Sequence, residues 1–165
     1  MAQQETIIQV MSVNSGRSRC MTNRRPTEPG STDTIHVGSR PYSVAITPNG
    51  EYAYVVNKAL ATGKGAVQVI NTATNTATTP LSFPVGQAPT AVAITPDGRR
   101  AYVTNQGANT VSEINTDYTS PAASYDTVLS TFAVGYFPEG AATDGTRAYV
   151  ANHGSNDLSL ISVAG

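Results

Sequence analysis

Two histidines, one cysteine, a Gly-Lys-Gly string and a few carboxylates are the groups in this sequence that could do chemistry. His36 alternates with Ile35 and Val37 as on a strand, so its ring reads as an ordinary exposed or satisfied imidazole. His153 follows Asn152 at the start of a loop and is the better functional residue of the two. Neither has the partner ligands that a zinc or iron site needs, so no metal or cofactor is expected. Cys20 sits in a polar stretch with no histidine near it in sequence and reads as an incidental thiol. Gly63-Lys64-Gly65 lacks the upstream glycine and following helix of a phosphate loop, so it reads as a hairpin tip. Asp97 and Asp144 fall in turns, where aspartate serves the backbone. No Gly-x-Ser-x-Gly elbow, His-Glu-x-x-His pair, Walker loop or EF-hand string occurs, and no catalytic residue is assigned.

What must position these side chains is a repeat. Val37-Gly38, Pro41, Ser43–Gly50 and Ala53–Asn57 form a first copy. Val85-Gly86, Pro89, Ala91–Gly98 and Ala101–Asn105 form a second, displaced by 48 residues, and Val134-Gly135, Pro138, Ala142, Asp144-Gly145 and Ala148–Asn152 a third. Ser43–Thr47 alternates, with Val44 and Ile46 on one face, and Thr47-Pro48-Asn49-Gly50 is a turn leading into Tyr52–Asn57. Third strands are expected at Ala66–Asn71, Thr110–Asn115 and Asp157–Val163. Fourth strands are expected near Thr79–Val85 and Ser130–Val134, with Thr32–Val37 as the fourth strand of a preceding unit. Ala45, Ala93 and Ala142 suit a crowded inner strand. No segment carries a capped helical stripe.

Four antiparallel strands every 45 to 50 residues predict an all-β fold of β-propeller blades. About three blades are present, which is too few to close a ring of about four to eight. Residues 32–165 would form the three repeats. Residues 1–31 read as a polar, partly disordered leader, or as the remnant of a preceding blade with a strand over Thr6–Asn14. Its four arginines, Arg17, Arg19, Arg24 and Arg25, read as a solvated tail. The first unit has a lengthened loop at Lys58–Gly65, and the second an insertion at Asp117–Thr127.

The string Ala101-Tyr102-Val103-Thr104-Asn105, preceded by Val92–Gly98 and followed by Asn109–Thr116, resembles the YVTN family of β-propeller repeats. That resemblance covers roughly residues 32–165. It implies a propeller like those of surface-layer and other secreted or periplasmic proteins, and related blades occur in lactonases and redox enzymes. A compartment outside the cytoplasm is thus implied by the resemblance, although no signal peptide is read here: Glu5 sits where positive charge belongs.

Composition narrows the partners. Ten basic residues against 11 acidic ones give a net charge of −1, with no field to attract nucleic acid or an anionic membrane. No apolar run reaches the roughly 18 residues needed to span a bilayer. Charged residues make up only 13% of the chain, about half the usual share.

In blades of this order, loops entering the first strand share a face with loops joining the second and third. One set carries Arg40, Tyr42, Gln87, Tyr136 and Phe137. The other carries Lys58, Lys64, Gln106 and His153. These residues are the expected ligand-binding set, and adjacent Tyr136 and Phe137 stand out because exposed aromatics mark contacts. Asn57, Asn105 and Asn152 recur as strand-end caps, and Tyr54, Tyr102 and Tyr149 as packing residues. The expected function is a non-catalytic binding or structural module for a protein or small ligand, with self-association closing the ring. The alternative is a fragment of a propeller enzyme, a lactonase-like hydrolase or a redox propeller, whose active site lies in other blades.

Overall fold

The computed structural model describes residues 34–58, 63–78, 82–119 and 125–162. The expectations for residues 1–31, including the strand over Thr6–Asn14, the four arginines and Cys20, lie outside them.

The described residues form twelve strands in three antiparallel sheets. The first sheet holds β1 (Pro41–Ile46), β2 (Tyr52–Asn57) and β3 (Ala66–Asn71), with β4 (Thr76–Ala77) and β5 (Phe83–Pro84) both paired to β3. The second runs β6 (Pro89–Ile94), β7 (Arg100–Asn105), β8 (Thr110–Asn115) and β9 (Thr127–Ala133). The third runs β10 (Pro138–Thr143), β11 (Arg147–Asn152) and β12 (Asp157–Ser162). Each sheet is one blade, and together they make an incomplete β-propeller. No helix occurs among the described residues, so none there is long and apolar enough to cross a membrane.

The repeat motifs each do identifiable physical work. In the first turn, Thr47 Oγ1 accepts from Tyr52 N at 3.1 Å and donates to Asn49 Oδ1 at 2.6 Å, while Gly50 N donates to Thr47 O at 2.8 Å. Thr95, Asp97, Gly98 and Arg100 repeat this network. The third blade lacks the Thr-Pro, and there Asp144 Oδ1 accepts from the backbone N–H groups of Thr146 and Arg147 instead.

The Val-Gly and terminal Asn of the motif are two halves of one contact. A Cβ on Gly38 would lie 2.8 Å from Asn57 Nδ2, on Gly86 2.4 Å from Asn105 Cγ, and on Gly135 2.7 Å from Asn152 Cγ. Asn57, Asn105 and Asn152 are buried. Their Oδ1 atoms find no donor among the described residues, so they do not cap backbone N–H groups as the sequence suggested. Asn105 Nδ2 donates to Ser112 Oγ at 2.9 Å, and Asn152 Nδ2 to Ser159 Oγ at 2.8 Å and Asp157 Oδ1 at 2.6 Å.

Two apolar cores lie between blades. Tyr54, Val56, Val67 and Val69 of the first blade pack on Val92, Ala101, Val103 and Ile114 of the second. Tyr102 and Val111 of the second pack with Ala148, Val150 and Ile161 of the third. Tyr54 and Tyr102 are therefore packing residues, fully buried, with each hydroxyl turned to a carboxylate: Asp126 at 2.7 Å and Glu113 at 3.1 Å.

Several boundaries differ from the sequence expectation. β1 begins at Pro41 and ends before Thr47, because Thr47 is committed to the turn. The expected strand Thr79–Val85 is instead the pair β4 and β5, with residues 79–81 outside the described set. The strand expected at Ser130–Val134 spans Thr127–Ala133, and β12 ends at Ser162, with Val163 not described. Residues 34–37 are not in a strand, since alternation alone makes no ladder without a partner, and His36 is exposed there. Val44 and Ile46 are 61% exposed, whereas Val92 is 8% exposed: no described sheet lies on the side that the first pair faces.

Candidate ligand-binding face

Backbone bonds fix the two loop sets against each other. Lys58 N donates to Arg40 O at 3.0 Å, Gln106 N to Ala88 O at 3.1 Å and His153 N to Phe137 O at 3.0 Å. Gly107 N and Gly154 N add bonds to Gln87 O and Tyr136 O. The loops thus form one face, as the repeat order implies. The residue before each proline is left-handed, with φ of 55° at Arg40, 46° at Ala88 and 52° at Phe137. Proline disfavours the right-handed helical region for its predecessor, and a non-glycine residue in the left-handed one costs about 1–2 kcal/mol. Because all three blades repeat it, this strain belongs to the blade design.

A second irregularity lies beside it. The register between first and second strands slips by one residue between Pro41 and Ser43, Pro89 and Ala91, and Pro138 and Gly140. Tyr42, Thr90 and Glu139 are therefore the extra residues of three equivalent β-bulges, a device that re-aims side chains. Thr90 is buried and donates to Pro138 O at 2.9 Å. Tyr42 and Glu139 are exposed and anchor a chain of contacts across the blades. Lys58 Nζ stands 4.5 Å over the Tyr42 ring and donates to Gln106 Oε1 at 3.2 Å, and Gln106 Nε2 donates to Glu139 Oε1 at 2.9 Å. An ammonium over an aromatic face gains about 0.5–1 kcal/mol when exposed.

In the third blade, Tyr136 and Phe137 are 65% and 54% exposed. Phe137 is nonetheless fixed. Its N donates to Asn109 Oδ1 at 2.9 Å, its carbonyl accepts from His153, and its ring edge occupies the space a Cβ on Gly154 would need. His153 is exposed beside it. Gln87 meets the second loop set through its carbonyl, and Lys64 and Gln87 line an open groove of about 600 Å³ with Val85, Val128 and Thr131. Arg40 is exposed and joins the face through its carbonyl.

The structure thus brings together Tyr42, Lys58 and Gln106, and separately Tyr136, Phe137 and His153. Glu139, which completes the first group, was not read from the sequence. The signal was present only as a position, since Glu139 follows Pro138 as Tyr42 follows Pro41. One cation, one anion and an amide can hold a ligand by hydrogen bonds. None of the described bonds at this face joins a nucleophile to a base, and among the described residues no group of three His, Cys, Asp or Glu could hold a metal.

The sequence model of the choice-of-anchor I domain matches residues 1–124. No curated protein matches the chain. Solved structures similar to it include Kuenenia stuttgartiensis hydrazine synthase, at 19% identity and TM-score 0.64 over 90% of this chain and 48% of that one. The β-propeller domain of Myceliophteria thermophila Cps50 (Swd1) matches at 13% identity and TM-score 0.63 over 82% of this chain and 39% of that one. A candidate 6-phosphogluconolactonase from Bacteroides uniformis matches at 15% identity and TM-score 0.63 over 94% and 43%. The chain spans less than half the length of each, and at these identities the likeness shows the propeller fold alone.

Proposed function

The chain belongs to the choice-of-anchor I domain family, and from that premise we propose that its blades, of YVTN type, form a non-catalytic module that binds a protein or small ligand on the loop face. The observation that carries this reading is the exposed pair Tyr136 and Phe137 on an anchored main chain. Tyr136 N donates to Ser155 Oγ and its carbonyl accepts from Gly154, Phe137 N donates to Asn109 Oδ1 and its carbonyl accepts from His153, and the Phe137 ring packs on Gly154. Aromatic side chains that stand in solvent yet are already ordered lose little conformational entropy on binding, which is what contact hot spots require. The Tyr42–Lys58–Gln106–Glu139 chain supplies polar selectivity next to them. The same reading puts the protein outside the cytoplasm or at the cell surface, where proteins with such repeats occur.

A peptide-display selection on the immobilised chain tests it. Selected binders should weaken at least tenfold on a Tyr136→Ala/Phe137→Ala variant and on Lys58→Ala. Equal binding to all variants would overturn the proposal. So would turnover of simple lactones that disappears in His153→Ala, which would favour the propeller-enzyme alternative.

A further inference from the structure

At the opposite end of the strands, where Tyr52 pairs with Asn71 rather than Asn57 with Ala66, Tyr118, Tyr125 and Asp126 line a second site with residues of the first blade. Tyr118 stacks on Tyr52 with ring centroids 4.1 Å apart and 10° between planes, and Tyr125 lies 4.6 Å from Tyr118. Behind the rings is Asp126, 6% exposed. Its Oδ1 accepts from Tyr54 OH at 2.7 Å and its Oδ2 from Tyr118 OH at 2.8 Å. Its backbone is left-handed, φ 55°, and its N donates to Asn115 O at 2.7 Å. The recess in front holds about 370 Å³ and is also lined by Asn71, Thr76 and Thr78.

Among the described residues, the donors to the carboxylate are the neutral hydroxyls of Tyr54 and Tyr118. The two ion pairs among the described residues, Arg99–Asp117 and Arg100–Glu113, engage other groups. Burial raises the Asp126 carboxyl above its ordinary range, and the two tyrosine hydroxyls pull it back only in part. A carboxylate withdrawn from water without a counter-ion is costly, and a bound cation removes that cost. Tyrosine rings attract the same charge through their π faces.

We propose that this recess binds a ligand bearing an organic ammonium group, with Asp126 as counter-ion and Tyr52, Tyr118 and Tyr125 as its aromatic wall. A free amine and a lysyl side chain of a peptide share this chemistry. The site is independent of the loop face.

The experiment titrates the full chain with n-butylammonium, with a blocked Gly-Lys-Gly peptide, with n-butanol as the neutral isostere, and with maltotriose. Tyrosine emission and calorimetry are the readouts; the chain has no tryptophan to obscure its eight tyrosines. Saturable binding of the amine, the peptide or both is expected, with none by butanol, and the stronger of the two identifies the source. Asp126→Asn should weaken it at least tenfold. Tyr125→Leu, which leaves Asp126 in place, should weaken it severalfold and serves if Asp126→Asn does not fold. Maltotriose binding unaffected by Asp126→Asn would overturn the proposal in favour of a neutral saccharide site, and no saturable binding of either ammonium probe would overturn it outright.

Discussion

Asp126 ties a side chain's burial to the pH response of the whole chain. Its folded-state carboxyl is raised above the usual 3.8 by desolvation, so between pH 3.8 and the raised value the folded state holds more protons than the unfolded one. Stability from this group is present below pH 3.8 and lost as pH rises through the folded value. Asp126→Asn should therefore gain stability relative to the parent as pH goes from about 4 to 7, read by urea unfolding at each pH. Asp144 behaves oppositely. Three hydrogen bonds, from Thr146 Oγ1, Thr146 N and Arg147 N, hold its carboxyl at about 2, below the usual 3.8. Its contribution is present above pH 3.8 and fades as pH falls toward 2, so Asp144→Asn should flatten that acid limb. Tyr54→Phe removes a buried hydroxyl bonded to a carboxylate and should cost about 1.5–3 kcal/mol by the same unfolding measurement. The residues of this cluster were legible singly. Tyr118, Tyr125 and Asp126 all sit in an insertion visible in the sequence, but only the packing of Tyr52 and Tyr54 against it makes them one site.

The blade element rests on the fit between the Val-Gly entry and the terminal Asn of the second strand. Gly38→Ala would push its Cβ to 2.8 Å from Asn57 Nδ2 and 3.1 Å from Cγ, while Asn57 Cβ stays at 3.6 Å. Overpacking of this kind costs about 1–3 kcal/mol. In a double-mutant cycle, Gly38→Ala should cost clearly less in the Asn57→Ala background, a coupling of about 0.5 kcal/mol or more. Strict additivity, measured by denaturant unfolding, would mean that the contact is not what the repeat preserves. At this scale much of the fold was readable in advance: Thr-Pro-Asn-Gly and Thr-Pro-Asp-Gly place their turns, and the motif strings place β2, β7 and β11. The bulges were not, because one extra residue leaves residue types and order unchanged and shows only in the register. Glu139 was missed for that reason. The split outer strand was missed because Thr76–Ala77 and Phe83–Pro84 carry no alternation long enough to read.

Besides the recess at Asp126, the described residues present two extended surfaces to a partner. One is the loop face with its fixed aromatics. The other is bare sheet, with Val44 and Ile46 at 61% exposure on the first blade and Leu158 and Leu160 at 54% and 55% on the third. Exposed apolar faces of this sort favour association. Light scattering after gel filtration should show self-associated species for the 165-residue chain, and Val44→Lys/Leu160→Lys should shift it toward 17.2 kDa. Binding through the loop face, however, is the central claim, and amide-resolved NMR during titration with a selected peptide tests it most directly. The predicted shifts lie at residues 40–42, Lys58, Gln106, residues 136–139 and His153. Shifts confined to Val44, Ile46, Leu158 and Leu160, with the loop face unmoved, would contradict it.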